Sequence, residues 1–228
     1  MFHQIRTQVQ QLLGQDNSGH DMAHIDRVLS LSLRFATREN ANQDVVALIA
    51  LLHDVDDYKI FGAESAQNLT NASSILEQVT CSKDDVKRQV LSAIGAIGYG
   101  KRLDGLQPAT LEGKIVSDAD MCDALGATGL FRLYRYNLAH GYPVFDRGFY
   151  PSLDMSTAEY AATRKRTVIS HMFEKLLRLK DLMLTDSGKA EAATRHEIMV
   201  EFLYHFFREE NAPEWIDYLT NYLQKQQV

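Results

Sequence analysis

Apolar residues recur at spacings of three and four along most of the chain, which is the period of one face of an α-helix. One such stripe links Ile25, Val28 and Leu29, and another links Phe202 and Phe206. The strict alternation of apolar and polar residues that marks strands, with Asn-Gly or Asp-Gly turns at its ends, is lacking. The pattern therefore predicts an all-α protein.

The ends of the apolar stripes predict helices at residues 2–14, 20–38, 43–56, 62–79, 83–96, 110–139, 157–184, 189–210 and 213–225. Two segments combine Gly and Pro with aromatic residues and predict ordered loops, GAIGYGKRLDGLQPAT and HGYPVFDRGFYPSLD. We therefore expect a compact helical domain over residues 1–140. A helical lobe over residues 141–228 should pack on it, either as a second unit or as part of one continuous domain.

Composition narrows the class of protein and of partner. With 45% hydrophobic and 24% charged residues, the chain of 228 residues has the make-up of a soluble globular protein. Its net charge of −6 disfavours long nucleic acid as a partner. Cys81 and Cys122 form no CxxC pair, which fits a reducing compartment. The N-terminus is amphipathic rather than signal-like, and no apolar run reaches the roughly 18 residues of a membrane span. We expect a cytoplasmic protein with no membrane partner, and the oligomeric state stays open.

A polar cluster follows directly on the most apolar segment of the chain. The stretch ALLHDVDDYK carries an interior-type run into His53, Asp54, Asp56 and Asp57. An ionised carboxylate that is buried without a partner costs several kcal/mol, and a divalent cation bound by imidazole and carboxylates is one solution. Asp57 lies three residues after Asp54 and four after His53, so it could overhang the same point of a helix.

Two further clusters resemble this one in setting. GHDMAHIDRV places His20, His24 and Arg27 on one face of a predicted helix, and SDADMCDALGATG places Asp120 and Asp123 at a spacing of three. Each cluster lies on a helix that is otherwise apolar. Polar groups on the apolar faces of separate helices are hard to explain as solvated surface, so we predict that they share one site.

Each feature taken alone has a common structural explanation. The histidine–aspartate pair could be a hydrogen-bonded cap, and Asp118 could cap a helix N-terminus. Arg27 could form a surface ion pair, and Lys59 and Lys101 could be solvated. The coincidence of three clusters is what favours a shared site over these alternatives.

The order of His24, then His53-Asp54, then Asp120 in a helical chain resembles the H…HD…D pattern of the HD-domain superfamily of metal-dependent phosphohydrolases. The likeness extends over residues 18–210 and looks like a bacterial branch of small two-lobed HD hydrolases, some of which hydrolyse nucleoside triphosphates. It implies that residues 1–140 form an HD-type metal-binding domain. The chain reads DADMCDA where the family often reads DADRLDA, which puts in doubt any anion contact of the absent arginine.

The resemblance also implies a ligand set. His24, His53, Asp54 and Asp120 would hold one divalent ion, with Mn²⁺ favoured and Mg²⁺, Fe²⁺, Co²⁺, Ni²⁺ or Zn²⁺ as alternatives. Branches with two metal ions use additional histidines before the final aspartate. No histidine occurs between Asp54 and Asp120, so we predict a mononuclear site.

Further roles follow from the same comparison. Asp57 is the predicted catalytic carboxylate, which orients or deprotonates a water molecule. An aromatic residue of HGYPVFDRGFY could stack on a base in a lid, or could instead close the two lobes. The predicted substrate contacts are His20, Arg27, Lys59, Tyr99, Lys101, Lys114 and Asp123. Asp123 could instead support a metal ligand from behind.

The favoured function is hydrolysis of a small-molecule nucleotide, from (d)NTP to (d)NMP and pyrophosphate. The choice of a triphosphate comes from the resemblance alone. One alternative is a phosphatase acting on nucleotides or small phosphomonoesters. An alternative from another class is a non-catalytic protein that binds a ligand through its metal ion.

Overall fold

The computed structural model describes residues 1–14, 19–79, 84–153 and 167–226, and these residues form helices and no strand. The all-α prediction is confirmed. Cys81 and residues 157–166 of a predicted helix lie outside the described residues. The α-helices are α1 (Phe2–Leu13), α2 (Met22–Glu39), α3 (Gln43–Leu52), α4 (Tyr58–Asn68), α5 (Thr70–Val79), α6 (Asp84–Ile94), α7 (Tyr99–Leu103), α8 (Leu111–Asp123), α9 (Gly126–Ala139), α10 (Val168–Glu174), α11 (Asp186–Glu209) and α12 (Pro213–Lys225).

Helices α2, α3 and α8 pack against one another at the centre of the molecule. Every residue of α3 from Val45 to Leu52 is buried. Burying one Val, Leu or Ile side chain stabilises a fold by about 1.5–3 kcal/mol, so a helix buried on all sides is held firmly. The polar clusters noted in the sequence lie at the ends of these central helices. No helix in the described part of the chain has both the length and the apolar character needed to cross a membrane.

The C-terminal helices bury an aromatic cluster of their own. Phe145 packs against Phe207 and Trp215, and the ring of Tyr150 stacks on Trp215 with centroids 4.6 Å apart. The aromatic loop thus contributes to this core, which favours its role in closing the fold over a role as a base-stacking lid. Helix α11 contacts α2, α8 and α9. The division of the chain near residue 140 stays a prediction.

The helix predicted at residues 43–56 is too long, because α3 ends at Leu52 and a turn follows. The side chain of Asp56, in this turn, is bonded to the next part of the chain. It accepts hydrogen bonds from the backbone N–H groups of Asn71 and Ala72, at 2.9 Å each, in the first turn of α5. Asp56 thus holds the start of α5 against the end of α3, which is a structural role.

Two other long predicted helices are each divided in two. Leu69, with φ 50°, separates α4 from α5, and Gly126, with φ 72°, begins α9. A Cβ atom at Gly126 would lie 3.2 Å from Cβ of Arg195, so the absence of a side chain here lets α11 pack closely against this position. The helix predicted at residues 157–184 stops at Glu174 in its described part, and a 3₁₀ helix over Leu176–Leu182 follows. Helix α7 lies in a segment predicted as a loop.

Candidate metal centre

Three of the helix ends present the predicted ligands. His24 lies in the first turn of α2, where its backbone N–H donates to the N-capping carboxylate of Asp21 at 3.0 Å. His53 is the C-cap of α3, and Asp54 follows it in the turn. Asp120 lies in the last turn of α8. Because the central helices pack on one another, these side chains are brought to one place.

The donor atoms of these four residues converge on a common point. Nε2 of His24 lies 3.2 Å from Nε2 of His53 and 3.2 Å from Oδ2 of Asp54. Oδ1 of Asp120 lies 3.5 Å from Nε2 of His24 and 4.0 Å from Nε2 of His53. Both imidazoles are fully buried, whereas the side chains of Asp54 and Asp120 are 12% and 24% exposed, so the cluster opens on the carboxylate side.

The hydrogen bonds behind the two imidazoles decide which nitrogen faces this point. Nδ1 of His53 lies 2.8 Å from the carbonyl oxygen of Ala50, and Nδ1 of His24 lies 2.8 Å from Oδ2 of Asp123. Carbonyl and carboxylate oxygens only accept, so each Nδ1 carries the proton and each neutral ring turns a lone pair at Nε2 to the centre. Two nitrogen lone pairs and two carboxylates facing one another can hold a cation between them, and this donor set fits a divalent metal ion.

The pKa shifts within the cluster also favour a positive charge at this point. Burial raises the pKa of Asp54, but the imidazoles of His53, His20 and His24 more than offset it, and the pKa lies well below its ordinary value. Burial lowers the pKa of His24, but hydrogen bonds to Asp123 and Asp54 raise it by more, to about 9. In the absence of a metal ion, a proton on His24 therefore compensates part of the negative charge.

Asp123 lies behind His24, away from the common point. Besides the imidazole, it accepts from Nε and Nη2 of Arg27 at 2.7 and 2.9 Å and from Nη1 of Arg132 at 2.7 Å. Asp123 is only 2% exposed. Burial raises its pKa, but these donors lower it by more, so it stays ionised at neutral pH. From this position, Asp123 can fix the orientation of the His24 ring through its contact with Nδ1.

His20 contacts the cluster through Asp54. Its Nδ1 is 2.6 Å from Oδ2 of Asp54. Burial lowers the pKa of His20, but Asp54 raises it by more; the carboxylate of Asp57 raises it slightly and the ammonium group of Lys59 lowers it slightly. Asp57 is the N-cap of α4, where Oδ1 accepts from the backbone N–H of Lys59 at 2.9 Å. Its other oxygen has no hydrogen-bond partner among the described residues.

The remaining predicted contacts lie elsewhere. The hydroxyl of Tyr99 is 3.5 Å from the carbonyl oxygen of Glu174, and its ring lies under the ammonium group of Lys175. In the described part of the chain, no contact joins Lys101 or Lys114 to the cluster. Asp118 is buried and accepts from Thr185, the N-cap of α11, so it fixes that helix rather than a metal ion.

Arg132 is the residue of this network that the sequence did not single out. Its Nη1 holds Asp123 and its Nη2 donates to the carbonyl oxygen of Gly19 at 2.9 Å. The only available signal was an arginine on α9 among the apolar residues of GATGLFRLYRYNLA. Nothing in that spacing connects it to the carboxylate of a different helix.

Comparison with known proteins identifies the family of this fold. The family model of the HD domain matches residues 22–125. YpgQ of Bacillus subtilis is 32% identical over 204 residues, which cover 88% of this chain and 89% of YpgQ. A crystal structure of YpgQ in complex with ADP superimposes with a TM-score of 0.66 at 29% identity, over 91% of this chain and 94% of that one.

Two further solved structures are similar over nearly the whole chain. A protein of Lactobacillus plantarum is 34% identical with a TM-score of 0.80 and covers 92% of this chain and 97% of its own. An HD-superfamily hydrolase from Bacillus thuringiensis is 33% identical with a TM-score of 0.70, at the same coverage of 92% and 97%. These relatives cover about nine tenths of the sequence, and the chain belongs to the HD-domain superfamily of hydrolases.

Proposed function

We propose that this protein is a metal-dependent phosphohydrolase that converts a (d)NTP into a (d)NMP and pyrophosphate. The observation that carries the proposal is the convergence of two imidazole lone pairs and two carboxylates from three central helices. The ADP bound to YpgQ supports a nucleotide as the ligand of this chain. The preference for cleavage between the α- and β-phosphates rests on the family resemblance.

The chain would hold one divalent ion through His24, His53, Asp54 and Asp120, and Mn²⁺ suits this mixed set of nitrogen and oxygen ligands. When bound, such an ion polarises a phosphoryl oxygen and lowers the pKa of water. The fixed Nδ1 partners of His24 and His53 keep both rings in the required orientation. His20 joins His24 and Asp54 in a second group of donor atoms that shares two of these residues. The proposal of a single ion rests on the family resemblance, because no histidine occurs between Asp54 and Asp120.

In the proposed reaction, the substrate would approach the open, carboxylate side of the cluster. Asp57 would accept a proton from water as the water oxygen forms a bond to the α-phosphorus. The bond from that phosphorus to the bridging oxygen breaks, and pyrophosphate leaves with the electron pair. His20, whose pKa is raised by Asp54, and Lys59 would donate hydrogen bonds to phosphate oxygens.

A panel of substrates tests this function. Purified protein is incubated with Mn²⁺ and separate dNTPs, NTPs and nucleoside monophosphates, and the products are resolved by chromatography. We expect (d)NMP and pyrophosphate in equal amounts from triphosphates. Nucleoside and orthophosphate from monophosphates would instead establish the phosphatase alternative. The absence of any metal-dependent product, together with tight nucleotide binding, would establish the non-catalytic binding protein.

A further inference from the structure

The guanidinium group of Arg132, on α9, connects the segment before α2 with the last residue of α8. Its Nη2 donates to the carbonyl oxygen of Gly19 at 2.9 Å, and its Nη1 donates to Oδ2 of Asp123 at 2.7 Å. The side chain of Arg132 is 22% exposed and that of Asp123 is 3% exposed. Water therefore competes less for these contacts than it does for a surface ion pair.

The backbone of Gly19 lies against this guanidinium group. Its φ of 106° is in the region that favours glycine, and a Cβ atom there would lie 3.8 Å from Nε and from Nη2 of Arg132. The next residue is His20, whose Nδ1 lies 2.6 Å from Oδ2 of Asp54. A shift of the Gly19 carbonyl group would therefore move the imidazole of His20 relative to Asp54.

The same guanidinium group closes a circuit of contacts. From the carbonyl group of Gly19 the circuit follows the chain to His20 and then crosses to Asp54. Nε2 of His24 lies 3.2 Å from Oδ2 of Asp54, and its Nδ1 lies 2.8 Å from Oδ2 of Asp123. That carboxylate oxygen is the one that Nη1 of the guanidinium group holds. In a closed circuit, a displaced group disturbs two contacts, so the members constrain one another.

Arg27 shows what Arg132 adds. Nε and Nη2 of Arg27 donate to Asp123 at 2.7 and 2.9 Å, which already gives this buried carboxylate a bidentate cationic partner. Arg132 is therefore not needed merely to neutralise it. In the described part of the chain, Arg27 makes no hydrogen bond to Gly19. The distinct contribution of Arg132 is the connection between Asp123 and the segment that carries His20.

We propose that Arg132 is a positioning residue that fixes His20 and His24 relative to each other. It acts on His24 through Asp123 and on His20 through the carbonyl group of Gly19. The consequence for the substrate rests on the proposed function, in which His20 donates to a phosphate oxygen. The consequence for the affinity of the centre for a cation does not, since it involves only the orientation of His24.

Three variants separate the two contacts of Arg132. Arg132→Gln removes both of them. Arg27→Gln weakens only the support of Asp123. Gly19→Ala strains only the backbone before His20, because its φ is unfavourable for alanine. Circular dichroism checks the fold of each variant.

Two measurements need no hydrolysis. In the metal-free protein, the NMR signals of the His20 imidazole report its position, and their absence in His20→Gln identifies them. We expect these signals to shift or broaden in Arg132→Gln and Gly19→Ala and to stay unchanged in Arg27→Gln. The affinity for Mn²⁺, titrated by calorimetry, should fall about tenfold in both arginine variants, as for loss of an outer partner of a metal ligand. Gly19→Ala should keep the wild-type affinity.

The third measurement is hydrolysis at saturating Mn²⁺. Arg132→Gln should lower kcat/KM by about tenfold in the wild-type protein and by less than about twofold in His20→Gln, because the effect passes through His20. An equal loss in both backgrounds would overturn the action on His20. Unchanged His20 signals together with an unchanged affinity for Mn²⁺ in Arg132→Gln would overturn the whole proposal.

Failure of the proposed function is recognised separately. If the wild-type protein hydrolyses no substrate, that function is wrong, and the NMR signals and the Mn²⁺ titration alone decide whether Arg132 positions the two histidines. If Arg132→Gln fails to fold, Arg132→Lys replaces it. Lysine keeps the charge but lacks the fork, so the same changes support the proposal and their absence contradicts it.

Discussion

At the scale of single residues, Asp123 determines which nitrogen of His24 faces the other ligands. The carboxylate accepts from Nδ1, and Arg27 and Arg132 hold it from behind. A metal-binding imidazole is commonly oriented by a carboxylate in this way, and loss of such a partner weakens metal binding. Asp123 would therefore act on a bound metal ion through His24 and not by contact.

The variant Asp123→Asn should lower the affinity for Mn²⁺ by about 10- to 100-fold. An amide N–H can donate to Nδ1 of His24, which moves the ring proton to Nε2 and removes the lone pair needed by a cation. Calorimetric titration of Mn²⁺ measures the change. Asp26→Asn is the control, because Asp26 pairs with Arg6 away from the centre. Equal affinity in wild type and Asp123→Asn would contradict the orienting role.

Asp57 has two roles that substitution can separate. It caps α4, and in the proposed function it also accepts a proton. Asparagine and serine cap helices about as well as aspartate. Asp57→Asn and Asp57→Ser should therefore keep the melting temperature and the metal content while kcat falls by about 10²- to 10⁴-fold. Steady-state kinetics, melting curves and metal analysis measure the three quantities. Unchanged turnover in both variants would show that Asp57 is a cap alone.

The residues of this centre differ in how far the sequence predicted them. His53 and Asp54 follow an apolar run, and that contrast is visible without a structure. The roles of His24 and Asp120 came from the ordered resemblance to the HD domain. Arg132 could not be predicted, because its partner Asp123 is on another helix and neither lies in a pattern that points to the other.

At the scale of helices, the attachment of α11 to α8 fixes the C-terminal part of the chain. Asp118 of α8 accepts from the backbone N–H of Leu184 at 2.9 Å and from the hydroxyl of Thr185 at 2.7 Å. Burial raises the pKa of Asp118, and these donors oppose the shift. Gly188 lets the first turn of α11 approach, because a Cβ atom there would lie 2.7 Å from Cγ of Asp118.

Gly188→Ala should lower the free energy of unfolding by about 1–3 kcal/mol, since the added methyl group overlaps a carboxylate that three hydrogen-bond donors hold in place. Urea denaturation measures the effect. Gly148→Ala is the matched control, because its added Cβ would have an ordinary contact of 3.6 Å with Asp146. Equal stability of the two variants would show that α11 can move away from α8.

Helix α11 also carries a buried histidine that makes stability depend on pH. Burial and the charge of Lys180 lower the pKa of His196 to about 4. A hydrogen bond to the Leu177 backbone raises the pKa by a smaller amount. In the unfolded chain the pKa is about 6.5. Between these values the unfolded chain binds more protons, so the free energy of unfolding falls as the pH falls.

We expect a loss of about 1 kcal/mol from this group between pH 6.5 and pH 5, measured by urea denaturation at both values. His196→Gln removes the titrating group and should reduce the difference between the two pH values. If the variant keeps the full wild-type difference, then His196 does not cause it, and another group must be responsible.

Helix boundaries were the least predictable feature at this scale. Apolar spacing continues through residues 110–139, so it predicted one helix where α8 and α9 are two. The break depends on the positive φ of Gly126, which admits the side chain of Arg195 on α11. Contacts of this kind, between segments far apart in the sequence, cannot be inferred from the local spacing of apolar residues.

At the scale of the whole molecule, protons and metal ions compete for the central cluster. The pKa of His24 in the metal-free protein is about 9, so this ring is protonated at neutral pH and must lose its proton when a metal ion binds. The affinity for Mn²⁺ should therefore rise with pH, by about tenfold per unit below pH 9 for one released proton.

Competition titrations of Mn²⁺ at pH 6.5 and pH 7.5 measure this dependence. Melting temperatures with and without excess chelator give an independent check, because a ligand that binds only the folded state stabilises it. Asp54→Asn should lose both the pH dependence of binding and the response to chelator. A binding constant that does not change with pH would show that metal binding releases no proton from His24.

The partial charges at the ends of the central helices also affect how favourably the cluster holds a cation. Helix α3 ends at Leu52, just before His53, and α8 ends at Asp123, three residues after Asp120. The C-terminal end of a helix carries a partial negative charge that favours a nearby cation by about 0.3–1 kcal/mol. Helix α4 adds little to this field, because Gly62, with φ 82°, interrupts it after a single turn. The N-terminal end of α2 lies at His24 and opposes a cation. The ends of α3 and α8 are thus helix termini whose backbone charge favours a cation at the cluster.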